Sequence, residues 1–113
     1  MSSSKLYQGS LKSIVLKLLS NHEKMYGYEI TQKVKELTKG KLVITEGALY
    51  PALHKLEALG FLDVELVKVD NRIRKYYKIT EEGLKEKVLI MDEIKEYISI
   101  MQNILNPNWS IEL

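Results

Sequence analysis

The chain has 113 residues, 45% of them hydrophobic and 28% charged, which suits one globular domain and excludes an intrinsically disordered polymer. It holds no cysteine and only two histidines, His22 and His54, which excludes disulfides and thiolate metal sites and argues against any metal cofactor. The net charge of +2 is unevenly divided: residues 1–80 carry 14 Lys/Arg against 8 Asp/Glu, and residues 81–113 carry 3 Lys against 7 Asp/Glu.

In chain order, residues 1–9 read as a flexible tail. Ser10 is a candidate N-cap for a helix whose apolar residues Leu11, Ile14, Val15, Leu18 and Leu19 share one face. Asn21-His22-Glu23-Lys24 ends it. A second helical pattern places Tyr26, Ile30, Val34 and Leu37 on one side and closes at Gly40. Thr45 caps a third helix, with Leu49, Ala52, Leu53 and Leu56 as its buried face and Gly60 as its stop.

Two strand-like runs follow. Leu62, Val64 and Leu66 alternate with acids, and Ile73, Tyr77 and Ile79 alternate with Arg74, Tyr76 and Lys78. Asp70-Asn71 supplies the turn between them. The apolar side of this hairpin is expected to meet the helices, and its basic, aromatic side to face outward. Thr80-Glu81-Glu82 then caps a helix running to about Leu105, roughly 36 Å long, with Asn106-Pro107 as its stop. The fold class is therefore mainly α with a small β-hairpin wing: a winged helix-turn-helix domain over 10–80, a long helix over 81–105 and a tail over 106–113.

The outer face of the third helix presents Gly47, Tyr50, Pro51, His54 and Lys55. Gly47 permits close approach of a polyanion, the Tyr50 hydroxyl can donate to a phosphate, and His54 and Lys55 can reach base edges or backbone. Pro51 clashes with the carbonyl four residues earlier, that of Gly47, so a bend is expected there. The hairpin adds Lys68, Arg72, Arg74, Lys75 and Lys78, five cations in eleven positions, interleaved with Tyr76 and Tyr77. Such a wing can lie along a DNA groove, with arginine drawn to the negative minor groove. The alternative for the same residues is a solvated helix face beside a lysine-protected sheet edge.

Ile90, Ile94, Tyr97, Met101 and Ile104 recur at intervals of four and three, a seam like that of a coiled coil, with Ile98 on a second apolar stripe beside it. A face this wide predicts two partners, the helix's own domain and the same helix of a second subunit. Two such subunits would set recognition helices about 34 Å apart, matching a palindromic double-stranded operator. The sequence holds no glycine-rich phosphate loop, nucleophile elbow or metal-ligand cluster, so catalysis and cofactors are not expected. It also lacks an apolar run of about 20 residues and a secretory-type N-terminus, so a cytoplasmic protein with no membrane partner is expected. A winged-helix protein-interaction module without DNA affinity stays open as the alternative.

Three segments carry a further signal: Tyr26-Gly27-Tyr28-Glu29-Ile30, Glu46-Gly47-Ala48-Leu49-Tyr50-Pro51-Ala52-Leu53-His54-Lys55-Leu56-Glu57, and Arg74-Lys75-Tyr76-Tyr77-Lys78-Ile79-Thr80-Glu81-Glu82-Gly83. In order and spacing they resemble the PadR family of transcriptional regulators, over roughly residues 9–105, in its short form with a single C-terminal helix. Ala48 stands where that family commonly has threonine. The resemblance implies a homodimeric repressor on a two-fold operator, with DNA contacts at Thr45, Gly47, Tyr50, His54, Lys55, Arg72, Arg74 and Lys75, and Tyr28 and Tyr76 either supporting helices or touching phosphates. It also implies an apolar or aromatic small-molecule effector near the dimer interface, for which Tyr97, Met101 and Trp109 are the candidate contacts; the alternative for Trp109 is an anchor for the C-terminal tail.

Overall fold

The computed structural model of the chain describes residues 9–106. Its elements in order are α1 (Leu11–Ser20), β1 (Met25–Tyr26), α2 (Gly27–Leu37), α3 (Glu46–Ala58), β2 (Leu62–Val69), β3 (Arg72–Ile79) and α4 (Glu81–Leu105). Pro107 and Trp109, with the rest of residues 1–8 and 107–113, lie outside the described residues. This is the expected mainly α fold with a β-hairpin wing, a winged helix-turn-helix followed by one long helix.

Local chemistry accounts for most of the element ends. The Thr45 hydroxyl accepts from the Ala48 N–H at 3.2 Å, and the Thr80 hydroxyl accepts from the Gly83 N–H at 3.0 Å, satisfying amides that a helix start leaves without a partner. Gly60 stops α3 at φ +86°, where a side chain would be strained, and the Phe61 N–H closes the turn on the Leu56 carbonyl at 2.9 Å. Asp70 and Asn71 both take positive φ, 50° and 64°, so β2 and β3 are joined by the two-residue turn whose twist suits a hairpin. Pro51 is accommodated without breaking α3.

Three expectations about the helices are corrected. Ser10 stands at the N-cap of α1 but its side chain makes no capping bond; instead the Ser13 hydroxyl donates to the Ser10 carbonyl at 2.7 Å. The second helix starts one residue after Tyr26, because Met25 and Tyr26 form a third strand against β3, paired Met25 to Tyr77 and Tyr26 to Tyr76. The sheet order is β1-β3-β2. Leu37, counted on the buried face of α2, is 66% exposed: it stands at the rim of the core, beside an apolar crevice shared with Ile14, Leu18, Val34 and Leu42.

The core is built from Val15, Leu16 and Leu19 of α1, Ile30 and Val34 of α2, Leu49, Leu53 and Leu56 of α3, and Leu62 and Tyr77 of the sheet. The wing departs from the simple alternation. Leu62 and Tyr77 are buried at its base, but Leu66 and Ile73 on the same face are 65% and 66% exposed, because the strands run on past the helices that cover that face.

α4 docks by its first half. Ile90 packs on the core and Lys12 of α1 pairs with Glu86 at 2.7 Å. Beyond Ile94, every described residue except the half-buried Met101 is exposed. Among the described residues no helix is long and apolar enough to cross a membrane.

Candidate nucleic-acid interface

The exposed face of α3 comprises Gly47, Tyr50, Pro51, His54 and Lys55, while Leu49, Leu53 and Leu56 hold the opposite face in the core. Thr45 is also exposed; its oxygen is used by the Ala48 amide, which leaves its hydroxyl hydrogen free to donate outward. The helix start therefore offers backbone amides, a hydroxyl and the positive end of the helix dipole on one surface.

Beside it lies a cleft of about 360 Å³ lined by Tyr26, Gly27, Tyr50, Val69, Arg72, Ile73, Arg74 and Lys75. One wall is α3 with the start of α2, and the other is the wing. Tyr50 is set in this cleft by Gly27: a Cβ at position 27 would stand 2.5 Å from the Tyr50 hydroxyl oxygen and 2.7 Å from the ring carbon that bears it. Burial, then the nearby Glu46 charge, pushes the Tyr50 phenol above its ordinary pKa, so it stays a neutral donor at physiological pH. Gly27→Ala should consequently leave thermal stability within about 1 kcal/mol, since alanine favours helix, yet turn the Tyr50 ring out of place. Thermal unfolding together with the Tyr50 ring signals in NMR checks this expectation.

The wing cations differ in what surrounds them. Arg72 and Lys68 are exposed near the tip, and Lys75 lies 5.6 Å from the Tyr77 ring centre. Lys78 is 3.5 Å from the Glu65 carboxylate, which Lys24 also reaches at 3.0 Å. The Lys24 hydrogen bond holds the Glu65 carboxyl below its ordinary pKa, so this brace stays charged at neutral pH. Arg74 is half-buried, with its guanidinium carbon 4.1 Å from the centre of the Tyr26 ring. Tyr26 in turn meets Tyr76 edge-on at 5.4 Å. Tyr28 is exposed.

Lys24, Tyr26 and Glu65 were not expected in this surface. The signal available in the sequence was Gly27 between two tyrosines at a helix start, a place where a small residue implies a close neighbour. On α4, Tyr97 and Met101 stand one turn apart, the first exposed and the second half-buried. Among the described residues no three His, Cys, Asp or Glu side chains gather as a metal site would require.

The profile of the PadR-like family of transcriptional regulators matches residues 15–87, from α1 through the start of α4. The chain belongs to that family. An uncharacterized protein of Lysinibacillus sphaericus is 36% identical over 101 residues, covering 86% of this chain and 92% of its own. The transcriptional regulator Rv3488 of Mycobacterium tuberculosis is 41% identical over 59 residues, 52% of each chain. Among solved structures, a transcriptional regulator of Clostridium thermocellum superposes with a TM-score of 0.82 at 30% identity, covering 91% of this chain and 97% of its own. A PadR family regulator of Eggerthella lenta gives 0.80 at 27% identity, covering 90% and 87%. The two solved structures superpose on about nine-tenths of this chain, a span that takes in both the winged helix and the long terminal helix.

Proposed function

We propose that this PadR-like regulator is a cytoplasmic, homodimeric repressor that binds a palindromic operator and is released by an apolar or aromatic small molecule. The observation that carries the DNA reading is the joining of two surfaces at one cleft: the exposed face of α3 and the cation-bearing wing, with the neutral Tyr50 hydroxyl between them. α3 enters the major groove, where His54 and Lys55 meet base edges or backbone and Gly47 lets the helix start approach. Thr45 and Tyr50 donate to phosphates. Arg72 and Lys75 follow the backbone or the adjacent minor groove, while Arg74 and Tyr76 enter through Tyr26, on which both are packed.

Residues 10–80 form the DNA-binding unit and residues 81–105 the dimer element. In that element Ile94, Tyr97, Ile98, Met101 and Ile104 meet a second copy, with Ile90 turned to its own core. The effector lodges near Tyr97 and Met101. Catalysis has no part in this reading.

The test is an anisotropy titration of a labelled fragment from upstream of the protein's own gene against a scrambled fragment, at several salt concentrations. Tighter binding to the upstream fragment, weakening as salt rises, supports the proposal. Tyr50→Phe should lose roughly 1 kcal/mol of that binding, or about fivefold. Absence of binding to any DNA at low salt would overturn it in favour of a protein-interaction module.

A further inference from the structure

Arg74 is one of the wing cations that the sequence offers as a DNA contact, yet its surroundings give it another use. Its guanidinium lies over the face of Tyr26 at 4.1 Å. Tyr26 is held from two further sides. Its backbone pairs with Tyr76 in the sheet, and its N–H donates to the Glu29 carboxylate at 3.1 Å, tying it to the start of α2. The edge contact between the Tyr26 and Tyr76 rings closes the group, and Lys24, anchored on Glu65, covers Tyr76 at 5.0 Å.

The next residue, Gly27, packs directly against the Tyr50 ring on α3. An unbroken line of contacts thus runs from the wing through Tyr26 and Gly27 to the recognition helix. Beyond Tyr76 towards its tip, β3 has no pairing with β1, and the distal strands leave Leu66 and Ile73 exposed. On the sheet face opposite Leu66 and Ile73, the Arg74–Tyr26 contact joins β3, two residues beyond its last pairing with β1, to the residue that immediately precedes α2.

We infer that Arg74 is a positioning residue: by stacking on Tyr26 it latches the wing at a set distance from α3, and it contributes to operator binding through that geometry rather than by neutralising a phosphate. The inference rests on the DNA-binding reading for its functional consequence, but the latch itself can be observed without DNA.

Two properties separate a latch from a phosphate contact. A phosphate contact needs only positive charge, so lysine replaces arginine there with modest loss. Stacking needs the flat guanidinium, which lysine lacks. A phosphate contact also adds to the salt dependence, about one unit of slope in a plot of log affinity against log salt, whereas a latch adds none.

The experiment compares Arg74→Lys, Arg74→Ala and Arg72→Ala in the full chain. In free protein, Arg74→Lys is expected to shift NMR signals of Tyr26, Gly27 and Tyr50 as well as its own neighbours. Shifts confined to residues 73–75 overturn the latch whether or not DNA binds. In operator titrations, Arg74→Lys and Arg74→Ala should each weaken binding by a similar factor of about five to ten, with the salt slope unchanged. Arg72→Ala should lower the slope by about one. If Arg74→Lys binds like the unaltered protein while Arg74→Ala loses a unit of slope, Arg74 is a phosphate contact and the inference fails. Should the unaltered protein bind no DNA, the functional reading falls, and the NMR comparison still decides the latch.

Discussion

Replacing Gly83 by alanine is expected to destabilise the protein by about 2 kcal/mol, lowering its melting temperature by roughly 10 °C, although alanine is the better helix former. A Cβ at position 83 would collide with the backbone carbonyl oxygen of Phe61 and stand 2.7 Å from Cγ1 of Ile79. That carbonyl cannot swing aside cheaply, because it accepts the Thr80 N–H at 3.0 Å, and the Thr80 hydroxyl donates to the neighbouring Gly60 carbonyl at 2.7 Å. The start of α4 is thereby clamped onto the loop between α3 and β2. Alanine must either break the clamp or lift the helix, and lifting it also draws Ile90 from the core and parts Lys12 from Glu86. The helix-propensity gain of at most about 1 kcal/mol does not offset this. Calorimetry or thermal circular dichroism checks it; an unchanged or raised melting temperature would mean that the clamp has slack.

The second large effect concerns the far half of α4. Tyr97 and Ile104 lie two turns apart on one face and are 58% and 62% exposed in the single chain. Glutamate at both positions should leave each subunit folded, since neither residue supports the core. Two buried, unpaired carboxylates per subunit would be intolerable in a helix-to-helix contact, so the proposed dimer should dissociate. Operator affinity should then fall at least about 100-fold, because each half-site must be bound without the effective concentration that the second subunit supplies. Light scattering at micromolar concentration gives the mass, circular dichroism the helix content, and anisotropy the affinity. A doubly substituted chain that keeps a dimer's mass would show that α4 pairs through another face or not at all.

The surface proposed to face DNA was legible because its signals are local. Gly47, Tyr50, His54 and Lys55 follow from helical spacing once Leu49, Leu53 and Leu56 are recognised as the buried side, and the structure exposes all four. Caps at Thr45 and Thr80, the stop at Gly60 and the turn at Asp70-Asn71 are each decided by one or two residues and their own backbone. So is the long apolar seam of α4, which needs only its own periodicity to be seen.

Assembly decided the rest. Met25 and Tyr26 carry no strand period, because two residues are too few to show one; they become β1 only by lying against Tyr76 and Tyr77, some fifty positions onward. The hairpin's alternation predicted a covered face, but whether Leu66 and Ile73 are covered depends on where the helices end in space, and they end too soon. Gly27 and Gly83 are required by atoms of Tyr50 and Phe61 that no nearby sequence position reveals. Composition marked Arg74 as a free cation of the wing, and only its 4.1 Å approach to Tyr26 turns it inward. Sequence alone thus determined the presence of the helices, the caps at Thr45 and Thr80, the wing turn and the polarity of each face, since these depend on interactions a few residues apart. Tertiary structure alone determined which glycines must be glycines, which apolar faces stay open and which charges are already engaged, since each depends on contacts between segments that meet only after folding.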